Sequence, residues 1–417
     1  MNFNDQWIED QLLDRFLRYV KIETTSDRHK DVIPSTPGQW DLLNLLKDEL
    51  KELGITDVSL DKHGYLIASM ESNIDDVSQP PVIGFMAHVD TSEDVSGKNV
   101  KPLLHKKYDG KDIQLTEDVT ISVKESPELK RYKGETVITA DGTTLLGADN
   151  KAGIAEIMTA AAWYLKNDRE KHGKIEIIFT PDEETGKGLD RFPIEKLNSF
   201  CCYTIDGDIA GTIEAECFHG YKAEIVFNGI VIHPGDARGK LMNAITMASN
   251  FISMLPRNES PEATDGRLGF YCPLGLSGGI EKTEFELLIR DFEYEEVKRR
   301  IETVKQIAKA VEGMYPGGSV EVSIHKQYSN MRDFLDKDPR IIRFLEKALE
   351  KEDMKPLKKI IRGGTDGARL SEMGIPTPNV FTGGTNFHSK REWIAIPGMI
   401  RSVRSIVQLI RLWSEER

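Results

Sequence analysis

Apolar positions along this chain come in two kinds of stretch: short continuous runs, and longer segments in which they recur at helical spacing. Ile8, Leu12, Leu13, Phe16, Leu17 and Val20 predict an opening amphipathic helix. A second helix is marked by Thr36 as cap, Pro37 at the first position and Gln39 completing a capping box. Its apolar face is Leu42, Leu43, Leu46, Leu50 and Leu53, and Gly54 ends it. Residues 58–70 predict two short strands around His63-Gly64. The run 82–86 is apolar throughout, as in a strand buried on both faces, and 174–179 and 203–205 predict two further strands. Between them, the Ala-rich 154–165 reads as a helix, and 91–140 as loop with scattered β runs. Strands alternating with helices predict an α/β sheet with function at the strand ends.

The pattern changes near residue 218. A strand at 222–230, a helix at 241–255, a hairpin of 268–276 and 283–290 turning at Ser277-Gly278-Gly279, a helix at 294–311 and a strand at 319–325 follow. That order is β-α-β-β-α-β, the ferredoxin-like arrangement. From about Met331 the first pattern resumes: a helix at 341–349, a Gly-rich loop at 362–367, a short strand at 379–381 and a closing helix at 400–412. The expected organisation is a mixed-sheet α/β domain of residues 1–217 and 329–417, interrupted by a βαββαβ domain of residues 218–328.

At 417 residues and 39% hydrophobic, the chain can bury two cores. Its formal charge of −13, from 55 basic and 68 acidic residues, argues against nucleic acid or an anionic membrane as main partner. Cys201, Cys202, Cys217 and Cys272 form no CxxC pair and are expected to be reduced thiols. The first ten residues are charged and lack an apolar leader core, and no run of about 18 apolar residues occurs. A cytoplasmic location is expected. A homodimer is left open.

The candidate chemistry lies at strand ends and Gly-rich turns: His88-Val89-Asp90, Asp149 within Leu145-Leu146-Gly147-Ala148-Asp149-Asn150-Lys151, Asp182-Glu183-Glu184, Asp206 and His388. Imidazole and carboxylate without thiolate suit zinc, with cobalt or manganese as substitutes. Asp149, central among the others, is the candidate bridge between two ions, with His88 and Asp206 completing one shell and Glu184 and His388 the other. Asp90 can accept the second imidazole N–H of His88. Neighbouring side chains diverge, so of Glu183 and Glu184 one can bind metal while the other faces a water as general base. No GxxxxGK[ST] loop is present. Asp366 fits a substrate-facing loop or a tight turn equally well.

These strings, together with His233-Pro234-Gly235, Ile361-Arg362-Gly363-Gly364-Thr365-Asp366-Gly367 and Phe381-Thr382-Gly383-Gly384, resemble the M20 metallopeptidase family in order and interval along nearly the whole chain. Within it, the chain is most similar to the tripeptide-cleaving aminopeptidases. The resemblance implies two Zn2+ per subunit, one held by His88, Asp149 and Asp206, the other by Asp149, Glu184 and His388. It implies that Glu183 is the base and that a water bridging the metals attacks the peptide bond. It also implies that the inserted domain is a lid whose His233 stabilises the oxyanion, while Asn243 and Arg290 hold the peptide's terminal carboxylate. Asn150 and Asp208 depart from family patterns that carry Asp and Gly there. Two other readings compete: an M20-type dipeptidase or N-acyl amino acid amidohydrolase, and a non-catalytic peptide-binding protein.

Overall fold

The apolar runs become the centre of an eight-stranded sheet in a computed structural model that describes residues 3–75 and 79–416. The first two residues of the charged N-terminal stretch, and the expected domain limits at 1 and 417, lie outside those residues. Strands Ile175–Thr180, Ile83–His88, Cys201–Gly207 and Asn379–Phe381 run parallel and adjacent, with His88 opposite Thr180 and Val380 opposite Ile205. Their residues are buried almost without exception. Leu66–Met70 pairs antiparallel with Ile175–Thr180 on one side, with Asp57–Leu60 antiparallel beyond it; on the other side Thr212–Cys217 pairs antiparallel with Asn379–Phe381, and Leu357–Ile361 lies at the edge beyond it. Thr212–Cys217 carries polar residues at every other position and Leu357–Ile361 carries Lys358-Lys359 at its centre, and neither was legible as a strand.

Helix Ala148–Lys166 packs on Ile83–His88 and Cys201–Gly207, and helices Asp5–Tyr19 and Ile396–Ser414 pack on it in turn. Ala148–Lys166 is buried along almost its full length, which explains its Ala-rich sequence. The approach is closest at Gly153, where an added Cβ would stand 2.0 Å from the Ile205 carbonyl oxygen. Only glycine lets the helix lie that near the strand that carries Asp206. The closing helix starts at Ile396, one turn before the expected 400, because Pro397 takes its N-terminal turn.

The capping box expected at Thr36 is not formed. Thr36 makes no side-chain cap to the backbone. Gln39 instead turns its amide to the buried Asp182 carboxylate at 2.7 Å, and its carbonyl oxygen accepts from Asp182 N at 3.1 Å. A charge-assisted bond to a buried carboxylate outweighs a cap bond at a solvated helix end.

The chain divides into two units, the first of Met1–Ala215, Phe334–Lys359 and Thr365–Arg417 and the second of Glu216–Asp333 with Ile360–Gly364. The second holds four antiparallel strands in the order Phe270–Gly278, Lys282–Asp291, His219–Asn228, Ser319–Tyr328. Ala223, Ile225, Phe227, Phe285, Leu287 and Ile289 form a core with Met247 and Phe251 of helix Ala244–Met254 and Val297, Val304 and Val311 of helix Tyr294–Met314. This is the ferredoxin-like order. Ile360–Gly364, which reads in sequence as part of the first pattern, joins this unit: Arg362 donates to the carbonyls of Gly266 and Leu268. No helix among the described residues is long and apolar enough to cross a membrane.

Gly153→Ala forces the helix from the sheet. It is expected to cost about 1–3 kcal/mol, read as a lower midpoint in urea or thermal unfolding.

Candidate metal centre

Parallel strands bring their carboxyl ends to one edge of the sheet, and the polar residues at those ends meet there. His88 is the last residue of its strand, Asp206 the penultimate residue of the neighbouring one, and Glu183 and Glu184 follow the strand on the other side. The backbone leaving Asn379–Phe381 is tied to the Asp206 strand by Thr382 N and Gly383 N donating to the carbonyls of Gly207 and Asp208. The chain then reaches His388, which adopts a left-handed φ of 57°. Asp149 comes from a different kind of position, a kink in the first turn of Ala148–Lys166, where it and Asn150 depart from helical angles and a cis peptide joins them.

Asp149 faces both imidazoles. Its Oδ1 lies 3.0 Å from His88 Nε2 and its Oδ2 lies 3.2 Å from His388 Nε2. Asp206 Oδ1 is 3.4 Å from His88 Nε2, and Glu184 Oε2 is 3.0 Å from His388 Nε2. Two imidazole–carboxylate pairs thus share one carboxylate, each through its own oxygen. Ligand atoms of His88, Asp149 and Glu184 all lie within 4.8 Å of one another.

Each imidazole is oriented from behind by a second carboxylate. His88 Nδ1 is 3.2 Å from Asp90 Oδ1 and 3.1 Å from the Asp90 carbonyl oxygen. His388 Nδ1 is 3.0 Å from Asp94 Oδ2, itself held by Ser92 Oγ at 2.8 Å. Asp90 is fully buried and also accepts from Glu183 N at 3.0 Å and Glu184 N at 3.2 Å. One carboxylate therefore aligns His88 and the acidic turn together. Asp182, left-handed at φ 55°, is clasped by Ser35 N and Ser35 Oγ at 2.7 and 2.5 Å and by Gln39. The next two side chains leave the turn from that fixed point.

Burial opposes ionisation of Asp149, yet the hydrogen bonds from His388 and His88 hold its carboxyl well below the usual range. Hydrogen bonds to Asp149 and Glu184 lift His388 to about 11. Burial works against a charged His88, but Asp206 and the bonds to Asp149, Asp206 and Asp90 raise it well above the ordinary value. Burial, with Asp149 nearby, pushes Glu184 up to about 7 and Asp206 up to about 6. Glu183 is pushed well up by burial, against the pull of His88, with Asp366 and Asp206 adding to the rise. Too many carboxyls share this edge for all to ionise without cations.

The donor set fits divalent metal. It contains imidazole and carboxylate and no thiolate, and Glu184 Oε1 is buried with no hydrogen-bond partner among the described residues.

Asp366 is buried and accepts from Thr180 Oγ1 at 2.8 Å, so it faces the interior beside the acidic turn. Asp208 pairs with Lys359 at 2.5 Å, which matches its extra charge locally. In the second unit, His233 is exposed and its Nδ1 accepts from Gly235 N at 3.1 Å. Asn243 caps Ala244–Met254, accepting from Ile245 N and Thr246 N. Arg290 donates to the carbonyls of Tyr221 and Ile289 and to Gln327 Oε1, and lies over the Tyr328 ring.

Sequence reasoning missed Asp94, Glu392 and the Ser35–Gln39 clasp on Asp182. A weak signal existed for two of them, because Asp94 lies four residues past Asp90 and Glu392 four past His388. None existed for Ser35 and Gln39, which precede Asp182 by 147 and 143 positions.

The chain belongs to a family of peptidases: residues 132–412 match Peptidase family M20/M25/M40. Among its relatives, Peptidase T of Listeria monocytogenes serotype 4a is 45% identical over 411 residues, covering 98% of this chain and 100% of the relative. Peptidase T of Clostridium perfringens strain ATCC 13124 is 47% identical over 403 residues, 97% of this chain and 99% of the relative. Two solved structures share the fold. Aminopeptidase PepT of Bacillus cereus has a TM-score of 0.76 at 22% identity, over 97% of this chain and 98% of its own. A tripeptidase of Staphylococcus aureus has a TM-score of 0.77 at 21% identity, over 98% and 99%.

Metal should be held less firmly at low pH, and the shifts give the sign. The raised His388 stabilises metal-depleted protein fully below its ordinary 6.5, and that stability is lost as pH rises toward about 11. Glu184 and Asp206, also raised, contribute stability below their ordinary values of 4.5 and 3.8 that is lost as pH passes about 7 and about 6. Metal-depleted protein is therefore expected to melt lower at pH 8 than at pH 5.5, and added zinc to raise Tm more at pH 8. An equal zinc effect at both pH values would contradict these protonation states.

Asp90→Asn is expected to weaken zinc binding by about 10–100-fold, measured by chelator competition. Asp94→Asn, at a half-exposed position, is expected to weaken it less.

Proposed function

We propose that the chain is a metal-dependent aminopeptidase that releases the N-terminal residue of tripeptides. The observation that carries this reading is Asp149, whose two carboxylate oxygens each address a separate imidazole–carboxylate pair. The full-length likeness to Peptidase T supports the substrate class. His88, Asp149 and Asp206 would hold one zinc ion, and Asp149, Glu184 and His388 the other, with cobalt or manganese as substitutes. When bound, such a pair polarises a carbonyl and acidifies water.

The chain's own groups supply the rest. Glu183 sits beside the ligands on a turn fixed by Asp90, and its raised proton affinity suits a group that takes a proton from water and returns it to the leaving amine. Asp90 and Asp94 keep each imidazole presenting Nε2 to the centre. In the second unit, His233 accepts at Nδ1, so its neutral ring carries the proton on Nε2 as a donor of the kind an oxyanion requires. Asn243 and Arg290 would hold the peptide carboxylate, and the fixed distance between the charged ends of a tripeptide would set length preference. The carbonyls that grip the Arg290 guanidinium support a preset orientation for it. The four unpaired cysteines, three of them buried, suit a reducing cytoplasm.

Glu183→Gln is expected to retain two metals per chain by elemental analysis while kcat falls by about 10²–10⁴. Loss of metal would make Glu183 a ligand instead. Free tripeptides should be cleaved faster than di- and tetrapeptides, and N-acetylated tripeptides not at all. Equal rates across lengths would sink the tripeptide assignment.

A further inference from the structure

Asp149 sits at the start of a helix, where backbone N–H groups have no partner within the helix. Its position depends on what satisfies them, and here it is a side chain from the far end of the chain. Glu392, only 2% exposed, accepts from Leu146 N at 2.7 Å and Gly147 N at 2.8 Å through Oε2, and from Asp149 N at 3.1 Å through Oε1. Gly147 has φ 82°, a left-handed angle that turns successive N–H groups toward one point.

Glu392 is itself rigidly carried. Its own N–H donates to Ser389 O at 3.2 Å, one residue past His388. The next residues, Trp393–Ala395, form a buried strand paired with Val137–Thr139. A single short segment therefore bears His388 at one end and the anchor of the Asp149 backbone at the other.

We propose that Glu392 is a positioning residue for the metal pair. It locks the main chain of Asp149 in the frame that carries His388, so that the shared carboxylate spans both imidazoles. This rests on the reading of Asp149 as the bridging ligand. Glutamine at 392 keeps the size but places an NH2 group against backbone donors that need an acceptor. Aspartate is one methylene short of reaching all three.

The test is zinc affinity by chelator competition on the full chain, with wild type, Glu392→Gln and Glu392→Asp compared with Glu156→Gln. Glu156 lies buried on the same helix, and its carboxylate accepts from Ser402 Oγ at 2.6 Å, away from the ligand loop. Both Glu392 variants are expected to bind zinc about 10–100-fold more weakly while retaining native circular dichroism, and Glu156→Gln to bind as wild type does. Wild-type affinity in the Glu392 variants overturns the proposal. So does equal weakening in Glu156→Gln, which would mean general loosening of the helix, or loss of fold in both Glu392 variants, which would make the carboxylate purely structural. Wild type that fails to bind two zinc ions would sink the metal reading itself.

Discussion

The first unit is arranged around one shared carboxylate. Asp149 lies between His88 and His388, 3.0 Å from one and 3.2 Å from the other, in surroundings that exclude most water. An ionised carboxylate there is tolerable only because positive charge stands on both sides, as imidazolium or as metal. That pairing pulls Asp149 down in proton affinity, while burial and the Asp149 charge push Glu184 and Asp206 up, so protons and divalent cations compete for one set of groups.

Three other buried acids accept hydrogen bonds from the backbone around the centre. Asp90 accepts from the main chain of Glu183 and Glu184, Glu392 from that of Leu146, Gly147 and Asp149, and Asp182 from Ser35. Each fastens a segment that carries a ligand or the candidate base to a segment distant in sequence. Backbone N–H groups at turns and helix starts need acceptors in any case. Using carboxylates for that purpose meets the need and gathers acidic groups at the edge where the two imidazoles meet.

The second unit follows a different logic. Its strands alternate, one face buried under two helices, and its long helix buries Val297, Val304 and Val311 at helical spacing. His233, Asn243 and Arg290 lie on turns, caps and strand ends of this frame.

The amino-acid sequence by itself determined the element types and the chemistry on offer. A continuous apolar run marks the buried parallel strand at 82–86, and period-2 and period-3.6 patterning marks the ferredoxin-like insert, because burial dictates residue type locally. The polar strings at His88, Asp149, Glu183-Glu184, Asp206 and His388 stand out because each interrupts an apolar run or a Gly-rich turn. Only the tertiary structure decided which of those residues meet. That depends on the order of strands in the sheet and on Gly153 letting a helix lie against Ile205, which are properties of packing between distant segments. For the same reason Gln39 reads locally as a cap yet holds Asp182, and Glu392, marked only by its place four residues past His388, holds the main chain of Asp149. A hydrogen bond to a buried charge outweighs a local preference, and one spanning 143 to 246 positions leaves no periodic trace in the chain.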